Sequence, residues 1–305
     1  MSIKEQMDGC TRRQCLRKLA MAVAALASTP CLMGEVPQMR MALSLDLLAG
    51  INATDSRAAY KVWAEQVISR FGLKHFEMLP EVFYSSTRLL PMLRARQVEC
   101  LGLSAQEIYK VQNELDMDTA MLEDYSADGL EYVVLVQNTS PFHHLEELKN
   151  RRMIIHRHRD TVLLPLWLEV QMNTGKQGAC EEFFESLSYR DKVNEAILPL
   201  FFGKTDAIGI TRRAFQTAAE LNPQLGRQLR VLLVSPKLVL DALMVRKGCD
   251  PLLKQQLIQA ITGLSSIPAG KQLLSLYESK GFVIRPGSVF AGTFELIKRH
   301  DKMGH

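Results

Sequence analysis

One run of the chain, Leu130-Glu131-Tyr132-Val133-Val134-Leu135-Val136-Gln137, is dense in β-branched and apolar residues and predicts a buried strand. A second run of this kind, Leu229-Arg230-Val231-Leu232-Leu233-Val234-Ser235-Pro236, follows about a hundred residues later. Each run ends one of two series of alternating strand and helix patterns, and the two series are nearly equal in length. The two runs therefore predict two crossings of the chain between two lobes.

The alternation on either side of these runs predicts an α/β fold with two mostly parallel sheets covered by helices. Residues 37–136 and 236–305 are assigned to lobe one, residues 137–235 to lobe two, and the two crossing strands to a hinge. We also expect a strand at 182–187 and only helices after Arg246. In such sheets, ligands bind at the carboxyl ends of strands, against helix N-termini.

The composition is that of an ordinary globular protein, with 47% hydrophobic and 23% charged residues. It excludes a disordered chain, a collagen-like fibre and a small disulfide scaffold. Of the net charge of +4, residues 1–27 contribute +3, so the rest of the chain is nearly neutral. Because phosphate neutralisation needs a concentrated basic face, nucleic acid is not a predicted partner.

The N-terminal residues are typical of an export signal. A basic segment at residues 11–18 precedes nine uncharged, mostly apolar residues at 19–27, which are too few for a transmembrane helix and suit a signal-peptide core. Ala25 and Ala27 form an A-x-A cleavage pattern. We therefore assign residues 1–36 to a signal peptide and expect a periplasmic protein that meets the membrane only through a partner.

The pair Arg12-Arg13 resembles the twin-arginine export signal, although Cys15 stands where that pattern usually has Phe. Three alternatives remain open for this segment. They are export by the general secretory route, lipidation at Cys31, and a basic amphipathic helix without a targeting role.

Cysteine and histidine patterns predict neither a disulfide framework nor a metal site. Beyond the signal, the cysteines are odd in number and lack C-x-x-C spacing: Cys100, Cys180 and Cys249. Nothing in the sequence shows that the paired histidines converge as zinc ligands must: His143, His144, His156 and His158. A nucleophile elbow, a P-loop and a G-x-G-x-x-G motif are all absent from the sequence. We expect no metal, no cofactor and no enzymatic activity.

Five short sequence motifs, in a fixed order along the chain, carry a family resemblance. They are Leu145-Glu146-Glu147-Leu148-Lys149-Asn150-Arg151-Arg152, Pro165, Phe201-Phe202-Gly203-Lys204-Thr205-Asp206-Ala207-Ile208-Gly209-Ile210, the run 229–236, and Ile267-Pro268-Ala269-Gly270-Lys271. Together they resemble the phosphonate-type periplasmic substrate-binding proteins of ABC transporters. The resemblance implies the type II periplasmic binding protein fold, a small oxyanion ligand such as phosphonate, phosphate or phosphite, and an ABC permease as partner.

On lobe one, the predicted binding residues lie in loops between strands and helices. Hydroxyl side chains at a helix start favour an oxyanion, and the family places pocket residues in the first loop. The set is Asn52, Thr54, Ser85, Ser86, Thr87, Ser104 and Tyr109. Tyr109 is included because it lies close to the positions where the family's pocket aromatics are missing. Plain turn formation and helix capping are the alternative roles.

On lobe two, the family's hydroxyl-rich loop before the helix proline is largely replaced. His158, Arg159 and Thr161 occupy that place, and a guanidinium can grip an oxyanion through two hydrogen bonds. The alternative is that Arg159 pairs with Asp160 on the surface. Asp206 aligns with an acid that the family uses toward a ligand amine, and its alternative role is a strand-end cap.

The sequence therefore predicts an exported solute-binding protein. It would capture a small oxyanion by hinge closure, driven by contacts that exist only when both lobes touch the ligand, and deliver it to an ABC permease. The alternative is a sensory or signalling binding protein of the same fold.

Overall fold

The computed structural model describes residues 39–44, 76–83, 86–172, 179–276 and 279–304. Residues 37–305 make up one unit. The predicted signal peptide, residues 1–36, lies outside the described residues. Among the helices described, none is long and apolar enough to cross a membrane.

The described strands form two separate sheets. In chain order they are β1 (Met39–Ser44), β2 (Phe76–Phe83), β3 (Cys100–Ser104), β4 (Ala120–Glu123), β5 (Tyr132–Gln137), β6 (Arg152–His156), β7 (Ser186–Arg190), β8 (Ala207–Thr211), β9 (Leu229–Val234), β10 (Asp241–Val245) and β11 (Phe282–Arg285). The first sheet has the order β11-β4-β10-β3-β1-β2, and the second has the order β7-β6-β8-β5-β9.

Helices follow most of these strands. The α-helices described are α1 (Ser86–Arg94), α2 (Ala105–Val111), α3 (Leu164–Gln171), α4 (Ala179–Phe183), α5 (Val193–Phe201), α6 (Arg212–Leu221), α7 (Pro223–Gln228), α8 (Pro251–Thr262), α9 (Pro268–Leu276) and α10 (Ala291–Met303). Short 3₁₀ turns occur at Gln112–Glu114, Leu145–Leu148, Arg159–Thr161, Leu264–Ser266 and Gly287–Phe290.

Both sheets are mixed rather than mostly parallel, which corrects the prediction. Strand β1 pairs in parallel with β2 and β3, and β6 with β7 and β8. The other pairings, of β10 with β3 and β4, of β11 with β4, and of β5 with β8 and β9, are antiparallel. Strand β5, which brings the chain into the second sheet, and β10, which returns it to the first, each run opposite to both of their neighbours.

Three local predictions differ from the structure. Strands β4 and β11 were not expected, and each has only four residues, too few for a periodic pattern. Residues 182–187 do not form a strand of their own. Helix α4 ends at Phe183, and strand β7 begins at Ser186.

The two crossing segments lie side by side, as predicted. Strand β5 pairs with β9 in antiparallel register, with Val134 opposite Leu233. Just outside the sheet, Leu130 and Leu238 exchange two backbone hydrogen bonds of 2.9 Å. Both crossing strands belong to the second sheet, including residues 132–136 of β5, which the prediction assigned to lobe one. The division into lobes by residue number stays a proposal.

Apolar side chains fill both faces of each sheet. In the second sheet the buried ring of Tyr132 on β5 packs against Trp167 of α3, with centroids 6.2 Å apart. The C-terminal helix α10 joins the two halves of the core. Its Phe294 contacts Tyr109 of α2, and its His300 lies 3.0 Å from the carboxylate of Glu169 on α3.

Candidate functional site

A cavity of about 540 Å³ opens at one edge of the second sheet. Strands β7, β6 and β8 run parallel and end at this edge, at Arg190, His156 and Thr211. Carboxyl ends of parallel strands are where α/β sheets bind their ligands. The lining residues are Tyr125, His156, His158, Arg159, Asp160, Asp191, Lys192, Val193, Asn194, Thr211, Arg213, Ala214, Thr217, Ala218 and Leu221.

Two helices begin at the cavity. The first residues of α5, Val193 and Asn194, line it, and the side chain of Lys192 at the N-cap pairs with the carboxylate of Glu195 at 3.0 Å and does not cap the backbone N–H groups of the first turn. Helix α6 follows Thr211, whose hydroxyl accepts a hydrogen bond from the N–H of Ala214 at 3.2 Å. Each helix start carries a partial positive charge of about half an elementary charge. This edge of the sheet therefore favours an anion.

Two stacked histidine rings form part of the cavity wall. The ring centroids of His156 and His158 are 5.7 Å apart, and the rings are nearly parallel, at 7°. Burial, followed by the neighbouring charge of His158, lowers the pKa of His156, so its ring is neutral at pH 7. The hydroxyl of Thr161 supports this turn, because it donates to the carbonyl of His156 at 2.7 Å and accepts from the N–H of His158 at 3.0 Å. Thr161 itself is buried and does not line the cavity.

Arg159 lines the cavity but makes an ion pair within the protein. Its guanidinium donates to the carboxylate of Glu123 at 2.6 Å, and the two side chains are only 19% and 7% exposed. Glu123 is the last residue of β4, so this pair links the first sheet to the second. Burial raises the pKa of Glu123 to about 7, against the opposing effect of Arg159. The pairing with Asp160, expected as the alternative, is the longer contact at 3.8 Å.

Tyr125, in the segment after β4, is a cavity residue that sequence reasoning missed. Its hydroxyl donates to the carboxylate of Asp160 at 2.7 Å. Its ring lies close to two guanidinium groups, 6.0 Å from that of Arg159 and 5.1 Å from that of Arg213. Burial raises the pKa of Tyr125, so the phenol stays protonated. No sequence pattern marks this residue, because its role depends on contact between the two sheets.

Sequence reasoning also missed Arg213, whose ion-pair contacts differ from those of Arg159. It is the second residue of α6, it is exposed, and its guanidinium lies over the ring of Tyr125. Among the described residues, no carboxylate forms an ion pair with it. The position of Arg213 beside a helix start, directly after a strand, was the signal that could have found it. The cavity therefore holds a cation whose charge the described part of the protein leaves unbalanced.

The predicted lobe-one residues divide into three groups. Asn52, Thr54 and Ser85 lie outside the described residues, whereas Ser86 and Thr87 begin helix α1, and a ligand role for these five residues stays a prediction.

Ser104 and Tyr109 have structural contacts. Ser104 is the N-cap of α2, and its N–H and hydroxyl donate to the carboxylate of Glu107 at 2.9 and 3.0 Å. The ring of Tyr109 packs against that of Phe294, with centroids 5.3 Å apart. Neither residue lines the cavity. A ligand role for either one stays a prediction.

Asp206 lies at the other edge of the second sheet. It directly precedes β8, whereas the cavity lies at the end of that strand. Its carboxylate accepts two hydrogen bonds of 3.0 Å from the guanidinium of Arg152 and one of 2.9 Å from the N–H of the same residue. The structure therefore does not bring Asp206 to this cavity. Its contacts are those of the strand-end cap that the sequence left as the alternative.

The histidines do not form a metal centre in the described part of the chain. No group of three or more histidine, cysteine, aspartate or glutamate side chains is arranged there to hold a metal ion. His156 and His158 stack face to face instead of converging on one point.

The fold is shared with solved structures of low sequence identity. XAC2383 from Xanthomonas citri bound to chloride ion is 14% identical, with a TM-score of 0.55 over 87% of this chain and 98% of that chain. XAC2383 bound to ATP gives 13% identity and a TM-score of 0.54 over 88% and 98% of the two chains. PhnD1 from Prochlorococcus marinus in complex with methylphosphonate gives 13% identity and a TM-score of 0.50 over 87% and 98%.

The sequence itself matches a family model over most of its length. No curated protein matches the chain. The model for the periplasmic substrate-binding protein of phosphonate ABC transporters matches residues 51–285, which include both crossing strands and all the residues that line the cavity. The chain therefore belongs to the phosphonate-type periplasmic substrate-binding family of ABC transporters, with the two-sheet α/β fold of type II periplasmic binding proteins.

Proposed function

We propose that this solute-binding protein captures a small oxyanion of the phosphonate, phosphate or phosphite type in the cavity at the edge of the second sheet. The observation that carries this proposal is Arg213, a cavity cation with no ion-pair partner among the described residues, beside the starts of α5 and α6. A charged group and free helix N–H groups that meet at one place suit an oxyanion.

Arg213 replaces Arg159 in this proposal as the principal ligand cation. Because Arg159 already neutralises Glu123, an anion that took its hydrogen bonds would leave a buried carboxylate without its partner. The guanidinium of Arg213 carries no such cost. His158 and Asn194 contribute further polar groups to the wall. Of the two carboxylates in the lining, Asp160 accepts a hydrogen bond from Tyr125 and Asp191 pairs with Arg157.

Capture would proceed by closure about the β5–β9 crossing, and the bound anion would pass to an ABC permease. Family membership implies both a periplasmic location and such a permease. Deletion of the gene for this protein should abolish uptake of whichever anion it binds, and undiminished uptake would contradict the transport role.

Isothermal titration with phosphate, phosphite, methylphosphonate, sulfate and acetate tests the proposal. We expect at least one of the phosphorus oxyanions to bind more tightly than acetate. Arg213→Gln should weaken that binding roughly tenfold to a hundredfold, since a lost charge-assisted hydrogen bond costs about 1.5–3 kcal/mol.

Arg227→Gln is the matched control, because Arg227 is an exposed arginine on α7 that does not line the cavity. It should leave the affinity unchanged. Equal affinities for the wild type and Arg213→Gln would remove Arg213 from the site, and binding of acetate alone would overturn the proposed ligand class.

A further inference from the structure

Helix α6 presents a continuous stripe to the cavity. Four of its residues that line the cavity follow the spacing i, i+3, i+4, i+7, which places them on one face of a helix: Ala214, Thr217, Ala218 and Leu221. Three are apolar, and the fourth carries a methyl group. Leu221 is 84% exposed, so its side chain is open to contact with a ligand.

This stripe extends the cavity well beyond the cation. Arg213 and Leu221 are eight positions apart on the same helix, which corresponds to about 12 Å along its axis. Apart from Arg213, the residues of α6 that line the cavity carry no charge. The cavity thus has a cationic end, and along α6 it becomes apolar.

The volume of the cavity also exceeds what a small oxyanion alone would fill. Phosphate and methylphosphonate each have five non-hydrogen atoms, and at the roughly 30 Å³ that a water occupies in the liquid they would fill about 150 Å³. The cavity has about 540 Å³, within the range of sites that bind larger organic molecules.

We infer that the cavity takes an organic anion with an extended hydrocarbon substituent. The inference rests on the proposed function and refines its ligand. The oxyanion group lies against Arg213 and the starts of α5 and α6, and the substituent runs along Ala214, Thr217, Ala218 and Leu221. Chain length of the substituent is then a determinant of affinity, because each buried methylene group leaves water.

A series of alkylphosphonates tests the inference. Isothermal titration of the full chain with methyl-, ethyl-, butyl- and hexylphosphonate should show affinity rising about fourfold for each methylene group that the stripe buries. Leu221→Gln should reduce the gain from butyl to hexyl, since it replaces the apolar end of the stripe with an amide.

The matched control is Leu252→Gln. Leu252 is 64% exposed on α8 and does not line the cavity. This variant should show the same rise with chain length as the wild type.

The possible outcomes separate this inference from the proposed function. Phosphonates that bind with equal affinity at every chain length overturn the inference and leave the proposed function standing. Failure of the whole series to bind overturns the inference, and the proposed function falls with it only if phosphate and phosphite do not bind either. A rise that Leu221→Gln and Leu252→Gln leave equally intact overturns the placement of the substituent along α6.

Discussion

At the scale of the residue, two arginines of the cavity have opposite roles. Arg159 lies among carboxylates and forms a buried pair with Glu123, whereas Arg213 is exposed and contacts an aromatic ring. A buried ion pair that loses one partner leaves an uncompensated charge in a medium of low polarity. Arg159 should therefore matter for stability, and Arg213 for ligand binding.

Arg159→Ala should destabilise the protein by about 3–5 kcal/mol above pH 8, because Glu123 is left as an unpaired buried carboxylate. The penalty should shrink below pH 6. In the wild type burial raises the pKa of Glu123 to about 7, and loss of Arg159 removes an effect that lowers it, so the pKa rises further in the variant. When a carboxyl group has a raised pKa in the folded state, the protein loses stability as the pH rises through that pKa. The pKa of Glu123 is higher still in the variant, so the variant continues to lose stability at a higher pH than the wild type.

Urea unfolding of the wild type and Arg159→Ala at pH 6, 7 and 8.5 measures this difference. Asp160 and Asp241 also face Arg159, whose charge lowers the pKa of each, so their pKa values rise in the variant and add to the same pH dependence. Arg213→Gln serves as the control and should show a small penalty that does not depend on pH. A penalty for Arg159→Ala that falls as the pH rises would contradict the raised pKa.

At the scale of the element, the turn that leads into β5 depends on Gly129. Its φ is +84°, a conformation that favours glycine. A Cβ at this position would lie 2.9 Å from the Cβ of Lys237 and 3.0 Å from the backbone nitrogen of Leu238. These neighbours belong to the second crossing segment, so the close approach of the two segments requires a residue without a side chain.

Gly129→Ala should lower the free energy of unfolding by roughly 1–3 kcal/mol through backbone strain and this contact. Gly226→Ala is the matched control. Gly226 lies in α7, and its added Cβ would meet the Cβ of Ala219 at an ordinary 3.5 Å. It should be neutral or stabilise by up to about 1 kcal/mol. Urea unfolding measures both changes, and equal stability of the two variants would mean that the crossing tolerates a side chain at Gly129.

At the scale of the whole molecule, export precedes function. Residues 1–36 lie outside the described structure, and their role rests on the sequence: a basic segment with Arg12-Arg13, then a short apolar core. Periplasmic location follows from the family, whereas the twin-arginine route is our proposal.

A fusion of residues 1–36 to a folded reporter tests the route. We expect export of the folded reporter, and we expect Arg12→Lys with Arg13→Lys to abolish it, because the twin-arginine pathway reads the pair itself rather than the charge. Arg17→Lys is the control and should be exported normally. Full export of the double variant, measured by reporter activity in the periplasmic fraction, would exclude this route.

Much of the architecture could be predicted from local pattern. The β-branched runs at 130–137 and 229–236 marked the crossings, and family membership confirms that the chain is a binding protein and not an enzyme. Strands β4 and β11 could not be predicted, since four residues carry too little periodicity and their place depends on pairing with distant strands.

Sequence alone determined the α/β class, the two crossings, the family and the loop of His158 and Arg159. These features follow from local residue spacing and from short motifs in a fixed order along the chain. Tertiary structure alone decided which charges remain available. It placed Glu123 against Arg159, Tyr125 beside Arg213, and Arg152 on Asp206. The physical reason is that the effective charge of a group depends on the partners and burial it acquires when distant segments meet, and residue spacing along the chain does not contain that information.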